Sequence, residues 1–223
     1  MNNATIMGKI KNAPKINKLE DGKEEAIFSV EYERDFKNAN GKKDKDVIEC
    51  RYLEPDENFK EDFAKGTSVA VKGKIYNNKK QFGEYQIDNL SIDVTEMASL
   101  SKNQNLSSVS VLGYLVADPE VRETTNGKKV TNVVVAAVKE NRNDETDYIR
   151  ATVWGARADN LGKYCGKGDL INISGKLRNN SRENETDKVN ITELVAEDII
   201  YIQSKNHTNS IEQEKEADKE QEV

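Results

Sequence analysis

Asp147-Tyr148-Ile149-Arg150-Ala151-Thr152-Val153-Trp154 alternates between two kinds of side chain. A β-strand sends successive side chains to opposite sides, so Ile149, Ala151 and Val153 form an ordinary core face while Tyr148, Arg150, Thr152 and Trp154 share the other. Two aromatics beside an arginine and a hydroxyl are poorly suited to a packed interior and well suited to bases and phosphates. One face of this strand belongs to a core and the other to a binding surface.

The strand has an earlier counterpart, because Asp46-Val47-Ile48 lines up with Asp147-Tyr148-Ile149. Phe63-Ala64-Lys65-Gly66 likewise recurs as Tyr164-Cys165-Gly166-Lys167-Gly168, and Gly73-Lys74-Ile75 as Gly175-Lys176-Leu177, with Lys65/Lys167, Gly66/Gly168 and Gly73/Gly175 at one constant interval. Gly8 and Gly113, and Ile87-Asp88-Asn89-Leu90 and Ile191-Thr192-Glu193-Leu194, add pairs at nearby intervals. An ordered set of this kind marks a tandem duplication. The chain divides into a first copy over 1–97, a linker over 98–105, a second copy over 106–204 and an acidic tail over 205–223 that lacks apolar periodicity and is expected to be disordered.

In the first copy, strands are expected over Ala4–Lys11, Glu25–Arg34, Asp46–Leu53, Ser68–Tyr76 and Tyr85–Val94. A turn region covers Asn12–Lys23, a polar hairpin loop Asn38–Lys45, and a short helix opens at Pro55-Asp56-Glu57 with Phe59 and Phe63 on one side. The second copy repeats the order with strands over Val109–Val116, Val130–Lys139, Tyr148–Trp154, Leu170–Leu177 and Lys188–Ile202, and a helix over Ala156–Tyr164. Five strands with one short helix between the third and fourth is the plan of an OB-fold, a five-stranded Greek-key barrel. The expected fold class is all-β with short helices, two tandem OB-folds followed by the tail.

Composition excludes several classes. With 223 residues there is enough chain for two modest cores. With 35% hydrophobic and 33% charged residues, no apolar run approaches the roughly 20 residues that cross a bilayer, and the start lacks a secretion-signal layout. No membrane association is expected, and a cytoplasmic location is. Two cysteines, Cys50 and Cys165, in separate copies, with one histidine, His207, cannot assemble a four-ligand zinc site. They read as buried thiols of a reducing compartment, and neither a metal nor another cofactor is expected. There is no P-loop and no Ser/His or Cys/His arrangement, so the chain is not expected to be an enzyme. The formal net charge of −6 counts against a nucleic-acid partner only until its distribution is read. Half of the excess lies in the tail, and each copy is close to balance.

Gly113-Tyr114-Leu115, Asp118-Pro119-Glu120-Val121-Arg122, Asn126-Gly127, Asp147-Tyr148-Ile149, Val153-Trp154, Lys167-Gly168, Gly175-Lys176-Leu177 and Thr192–Glu197 follow one another in an order that resembles the bacterial single-stranded DNA-binding protein family. The first copy is similar through Gly8-Lys9-Ile10, Arg34-Asp35-Phe36, Asp46-Val47-Ile48, Lys65-Gly66 and Gly73-Lys74-Ile75, with the Asp-Pro motif reduced to Ala13-Pro14. The resemblance implies sequence-tolerant binding of single-stranded DNA, with bases stacked on aromatics and phosphates met by Lys and Arg.

Tyr148 and Trp154 match two of the family's stacking positions in the second copy, and the two other usual positions fall near Asn141 and Arg182. In the first copy Phe36 matches the aromatic after the second strand, the third-strand positions are Val47 and Leu53, and Tyr76, Lys79, Lys80 and Phe82 surround its late hairpin. Arg150, Thr152, Arg142, Lys176, Arg178 and Arg182, with Arg34, Arg51 and Lys74 of the first copy, complete the expected DNA-binding set. Interior alternatives exist, since Trp154 could cap the barrel beneath the short helix and Phe36 could anchor its loop. Glu31 and Glu33 on the outward face of the first copy's second strand would repel phosphates, so the second copy is expected to bind more strongly.

Family members with one fold per chain commonly form tetramers, so a homodimer with four OB-folds is implied, serving replication, recombination, repair or DNA transfer and meeting proteins of those processes. An alternative of a different class is an OB-fold adaptor that binds a protein partner while DNA binding is vestigial. The tail ends Asp218-Lys219-Glu220-Gln221-Glu222-Val223 without the family's acidic-plus-aromatic tip. The unequal copies and this tail lean towards a plasmid, phage or other mobile-element role.

Overall fold

The computed structural model describes residues 2–57, 59–138, 146–183 and 188–203. The described residues form two compact units, one within Asn2–Ser110 and Gly175–Val195 and the other within Val111–Ser174 and Ala196–Gln203. The outer part of the second copy's last two strands therefore clusters with the first copy.

The first copy contains β1 (Asn2–Ile10), β2 (Lys15–Lys18), β3 (Glu24–Lys37), β4 (Lys43–Leu53), α1 (Phe59–Asp62), β5 (Ser68–Asn77), β6 (Lys80–Phe82), β7 (Tyr85–Ile87) and β8 (Leu90–Ser99). Its strands run in the order β2-β3-β4-β8-β5-β1, and β1 also pairs with β3, which closes the barrel. β4 and β8 pair in parallel. The alternation read from sequence holds, with Ala26, Phe28, Val30 and Tyr32 of β3 inside. Phe59 of α1 plugs the barrel against Phe28, Tyr52 and Phe63, with ring centroids 5.9, 5.6 and 5.1 Å away in tilted pairs.

The second copy contains β9 (Leu106–Leu115), β10 (Arg122–Glu123), β11 (Lys129–Ala137), β12 (Tyr148–Trp154), α2 (Ala156–Tyr164), β13 (Leu170–Glu183) and β14 (Lys188–Gln203). The order is β10-β11-β12-β14-β13-β9, with β9 also pairing with β11. Each copy is thus a closed five-stranded OB-fold barrel with short additional strands. Gly8 and Gly113 recur because the closing strand passes so near its partner that a Cβ would collide with the Glu31 or Ala136 carbonyl.

Several elements differ from the sequence expectation. The Asn12–Lys23 turn region holds β2, which extends the ladder along β3 with Ile16 opposite Ala26. The polar hairpin loop is shorter than expected, because β3 and β4 continue pairing past an irregularity to Lys37↔Lys43. The strand expected over Tyr85–Val94 is split into β7 and β8, with Asn89 N–H bonded to Asn77 Oδ1 at the break. β8 runs on through Ala98 and Ser99 because it pairs with β5 as far as Val69↔Ser99. Among the described residues no helix is long and apolar enough to cross a membrane.

Candidate nucleic-acid interface

β12 behaves as its alternation requires. Ile149, Ala151 and Val153 are buried, while the Tyr148 and Trp154 side chains are 54% and 43% exposed. Beside them on β11, Ala136 stands opposite Tyr148, Val134 opposite Arg150, Asn132 opposite Thr152 and Val130 opposite Trp154. Directly paired residues share a face of the sheet, so the surface around Tyr148 and Trp154 is low and partly apolar. Thr152 Oγ1 donates to Asn132 Oδ1 at 3.0 Å. Gly155, in the left-handed region at φ 66°, turns the chain out of β12, and its N–H bonds to the Lys129 carbonyl at 2.8 Å. Helix α2 then starts at Ala156 and buries Ala158 and Leu161. Trp154 therefore ends the strand in solvent and does not cap the barrel beneath the helix. The two rings stand six positions apart along the strand, about 20 Å at 3.3 Å per residue.

The motifs that carry the family resemblance also shape this unit. Asp118 Oδ1 accepts the Lys167 N–H at 2.7 Å, and Asp169 Oδ2 the Gly166 N–H at 2.9 Å. The turn through Gly168, at φ 87°, is thereby fixed to the Asp-Pro loop.

In the other unit, Arg34, Phe36, Lys176 and Arg178 come together around two aspartates. Asp46 is wholly buried and accepts from Arg34 Nε and Nη2 at 2.9 and 2.7 Å, from Arg178 Nη1 at 3.1 Å and from the Asn179 N–H at 2.7 Å. Burial alone would raise its pKa, but the bonds from Arg34, Asn179 and Arg178 outweigh that and hold the carboxyl below the usual range. Arg34 also donates to the Asn179 carbonyl at 3.1 Å. The Arg178 guanidinium lies 5.6 Å from the centroid of the Phe36 ring, which is 55% exposed at the end of β3. Lys176 pairs with Asp35. Arg34 and Arg178 are thus engaged in holding the fold, with Phe36 above them in solvent.

The remaining expected residues are dispersed. Arg51 pairs with Asp93 at 3.1 Å and lies 4.8 Å from the centroid of half-buried Tyr76. Lys74 is exposed on β5 and Lys79 in the turn after it. Lys80 donates to the Asn190 carbonyl at 3.1 Å, and Phe82 is half-buried opposite Tyr85 in the β6–β7 hairpin. Arg182 pairs with Glu193 at 2.7 Å. Arg142 and Asn141 lie outside the described residues. The first copy's equivalent of the β12 face sets Glu31 opposite Val47 and Arg51 beside Asp93. Val47 thus stands where the second copy carries Tyr148, with the carboxylate of Glu31 in the place of Ala136 and that of Glu49 in the place of Arg150.

Sequence reading missed Tyr114. It is 48% exposed on β9 and stands opposite Ala136, the same residue that faces Tyr148 from the other side. The signal was present, because Val109, Val111, Gly113 and Leu115 point inward and leave Tyr114 outward, but the residue sat inside a motif read for its glycine. Buried Asp46 and half-buried Asn179 were missed as a cluster, since charged and amide residues near a hairpin ordinarily read as solvated.

Comparison with known proteins agrees with this geometry. The Single-strand binding protein family matches residues 1–98 and again 106–217. Single-stranded DNA-binding protein B of Bacillus subtilis is 34% identical over 104 residues, 44% of this chain and 92% of that protein. A single-stranded DNA-binding protein of Staphylococcus aureus is 33% identical over 110 residues, 47% of this chain and 70% of that one. The wild-type single-stranded DNA binding protein from Thermus aquaticus superposes with a TM-score of 0.72 at 18% identity, over 91% of this chain and 93% of its own. A deletion mutant of the same protein gives 0.74 at 19%, over 92% and 95%. At such identity the superposition speaks to the fold.

Proposed function

The chain belongs to the single-strand binding protein family, and we propose that it holds single-stranded DNA chiefly on the outward face of β12, with bases stacked on Tyr148 and Trp154. The observation that carries this reading is the division of β12 into a buried face and an exposed face with an aromatic at each end. A base has a π-face whatever its identity, so stacking gives affinity without sequence preference. Arg150 and Thr152 lie between the rings on the same face and meet the backbone. Phe36 adds a stacking position in the first copy, with Lys74, Lys79 and Lys80 as phosphate contacts. The protein is read as a binder that protects single strands during replication, recombination, repair or transfer in the cytoplasm, with no catalytic step of its own.

We take 1–97 and 106–204 as the two folding domains and a homodimer with four barrels as the working assembly. Exposed Ile200, Tyr201 and Ile202 at the end of β14 supply apolar surface that a second copy would cover. A mobile-element origin fits the unequal copies. A second reading applies to the first copy, where Glu31, Glu49 and Asp93 occupy the outward face. There a protein partner of the replication or transfer machinery would replace DNA.

A gel-shift competition tests the main reading. The full chain should retain an oligo-thymidine strand against excess duplex of equal length. Failure to shift the single strand would leave the adaptor reading.

A further inference from the structure

Tyr114 of β9, Ala136 of β11 and Tyr148 of β12 lie in one row across three adjacent strands. Opposed residues in a sheet project from the same side, and both tyrosines are among the exposed large side chains. Strands sit about 4.8 Å apart, so the two tyrosine backbones are separated by roughly 10 Å across the sheet. Ala136 between them is only a methyl high, which leaves a trough with a ring on each bank. The adjoining row is Val116, Val134 and Arg150, because the Val116 N–H bonds to the Val134 carbonyl at 3.0 Å and Val134 stands opposite Arg150. An apolar floor flanked by two rings and an arginine suits nucleobases better than it suits water.

We infer that Tyr114 is a further stacking residue and that the bound strand crosses β9, β11 and β12 along the Tyr114–Ala136–Tyr148 row as well as running along β12 to Trp154. This rests on the proposed β12 site and extends it across the barrel. The site then takes bases on three rings in an L-shaped path. A single-stranded segment, whose backbone turns freely between unpaired bases, can follow that path, and a stiff duplex cannot.

Fluorescence anisotropy of a labelled oligo-thymidine strand with the Tyr114→Ala, Tyr114→Phe, Tyr148→Ala and Trp154→Ala chains tests it, each checked for wild-type circular dichroism. Tyr114→Ala should weaken binding by about fivefold to a hundredfold, the range expected for one lost stacking contact, and Tyr114→Phe should bind within about twofold of wild type. Tyr114→Ala binding like wild type while Tyr148→Ala and Trp154→Ala weaken would overturn the inference and leave the β12 site standing. Unchanged binding by all the alanine variants would overturn both. Photo-cross-linking of the wild-type protein to a 5-iodouracil strand gives a second readout that substitution cannot disturb. An adduct on Tyr114 is expected, and adducts confined to Tyr148 and Trp154 would contradict it.

Discussion

Tyr148 and Trp154 hold their rings in solvent because Ile149, Ala151 and Val153 occupy the core side of the same strand. Both aromatics lie on the outward side of the strand, so Trp154→Ala should leave thermal stability within about 1 kcal/mol while lowering single-strand affinity by about 1–3 kcal/mol. Circular dichroism melts and binding isotherms on the same samples check both parts. Phe36→Ala should cost less, since one side of that ring is already approached by Arg178 and the neighbouring surface carries carboxylates. A larger loss at Phe36 than at Trp154 would make the first copy the principal binder. At this scale the sequence was informative wherever alternation was clean, as in β12. For Tyr114 alternation gave the outward face, but its place beside Ala136 depends on strand register, which the sequence does not carry.

Among the elements, the ends of β3, β4 and β13 are held together by Asp46. Its carboxylate accepts from two guanidinium groups and a backbone N–H, so Asp46→Ala would leave Arg34 and Arg178 without their common counter-charge. A loss of about 3 kcal/mol is expected, read as a lower urea midpoint at unchanged slope. Because the folded pKa of Asp46 is depressed, its contribution is present above the ordinary aspartate range and is lost as pH falls through the folded value. The wild-type melting temperature should therefore drop more steeply in acid than that of Asp46→Asn. Parallel slopes would show that Asp46 is not the group responsible. The helix Ala156–Tyr164 and the strand Tyr148–Trp154 were legible to the residue, since Gly155 and the change of period mark their junction. β2 was not, because Lys15-Ile16-Asn17-Lys18 has no pattern of its own and is a strand only by pairing with β3. The split between β7 and β8 arises from side-chain bonds around Asn77 and Asn89, which no periodicity announces.

For the whole molecule, the duplication fixed two barrels before any contact was known, while the grouping of Gly175–Val195 with Asn2–Ser110 depends on long-range contacts that no repeat pattern contains. A dimer of the full chain should scatter light at twice the mass of the 25.1 kDa chain, and a mass of one chain would remove the four-barrel assembly. The central claim is that single-stranded DNA stacks on the exposed β12 face, and Trp154 is the only tryptophan in the sequence. The most direct measurement is a titration of its fluorescence with oligo-thymidine and with duplex, at low and high salt. Stacking predicts quenching by the single strand alone, with log affinity falling linearly against log salt by about 0.7 per phosphate contact. Tight binding in a parallel gel shift with no change in Trp154 emission would place the DNA elsewhere and contradict the account.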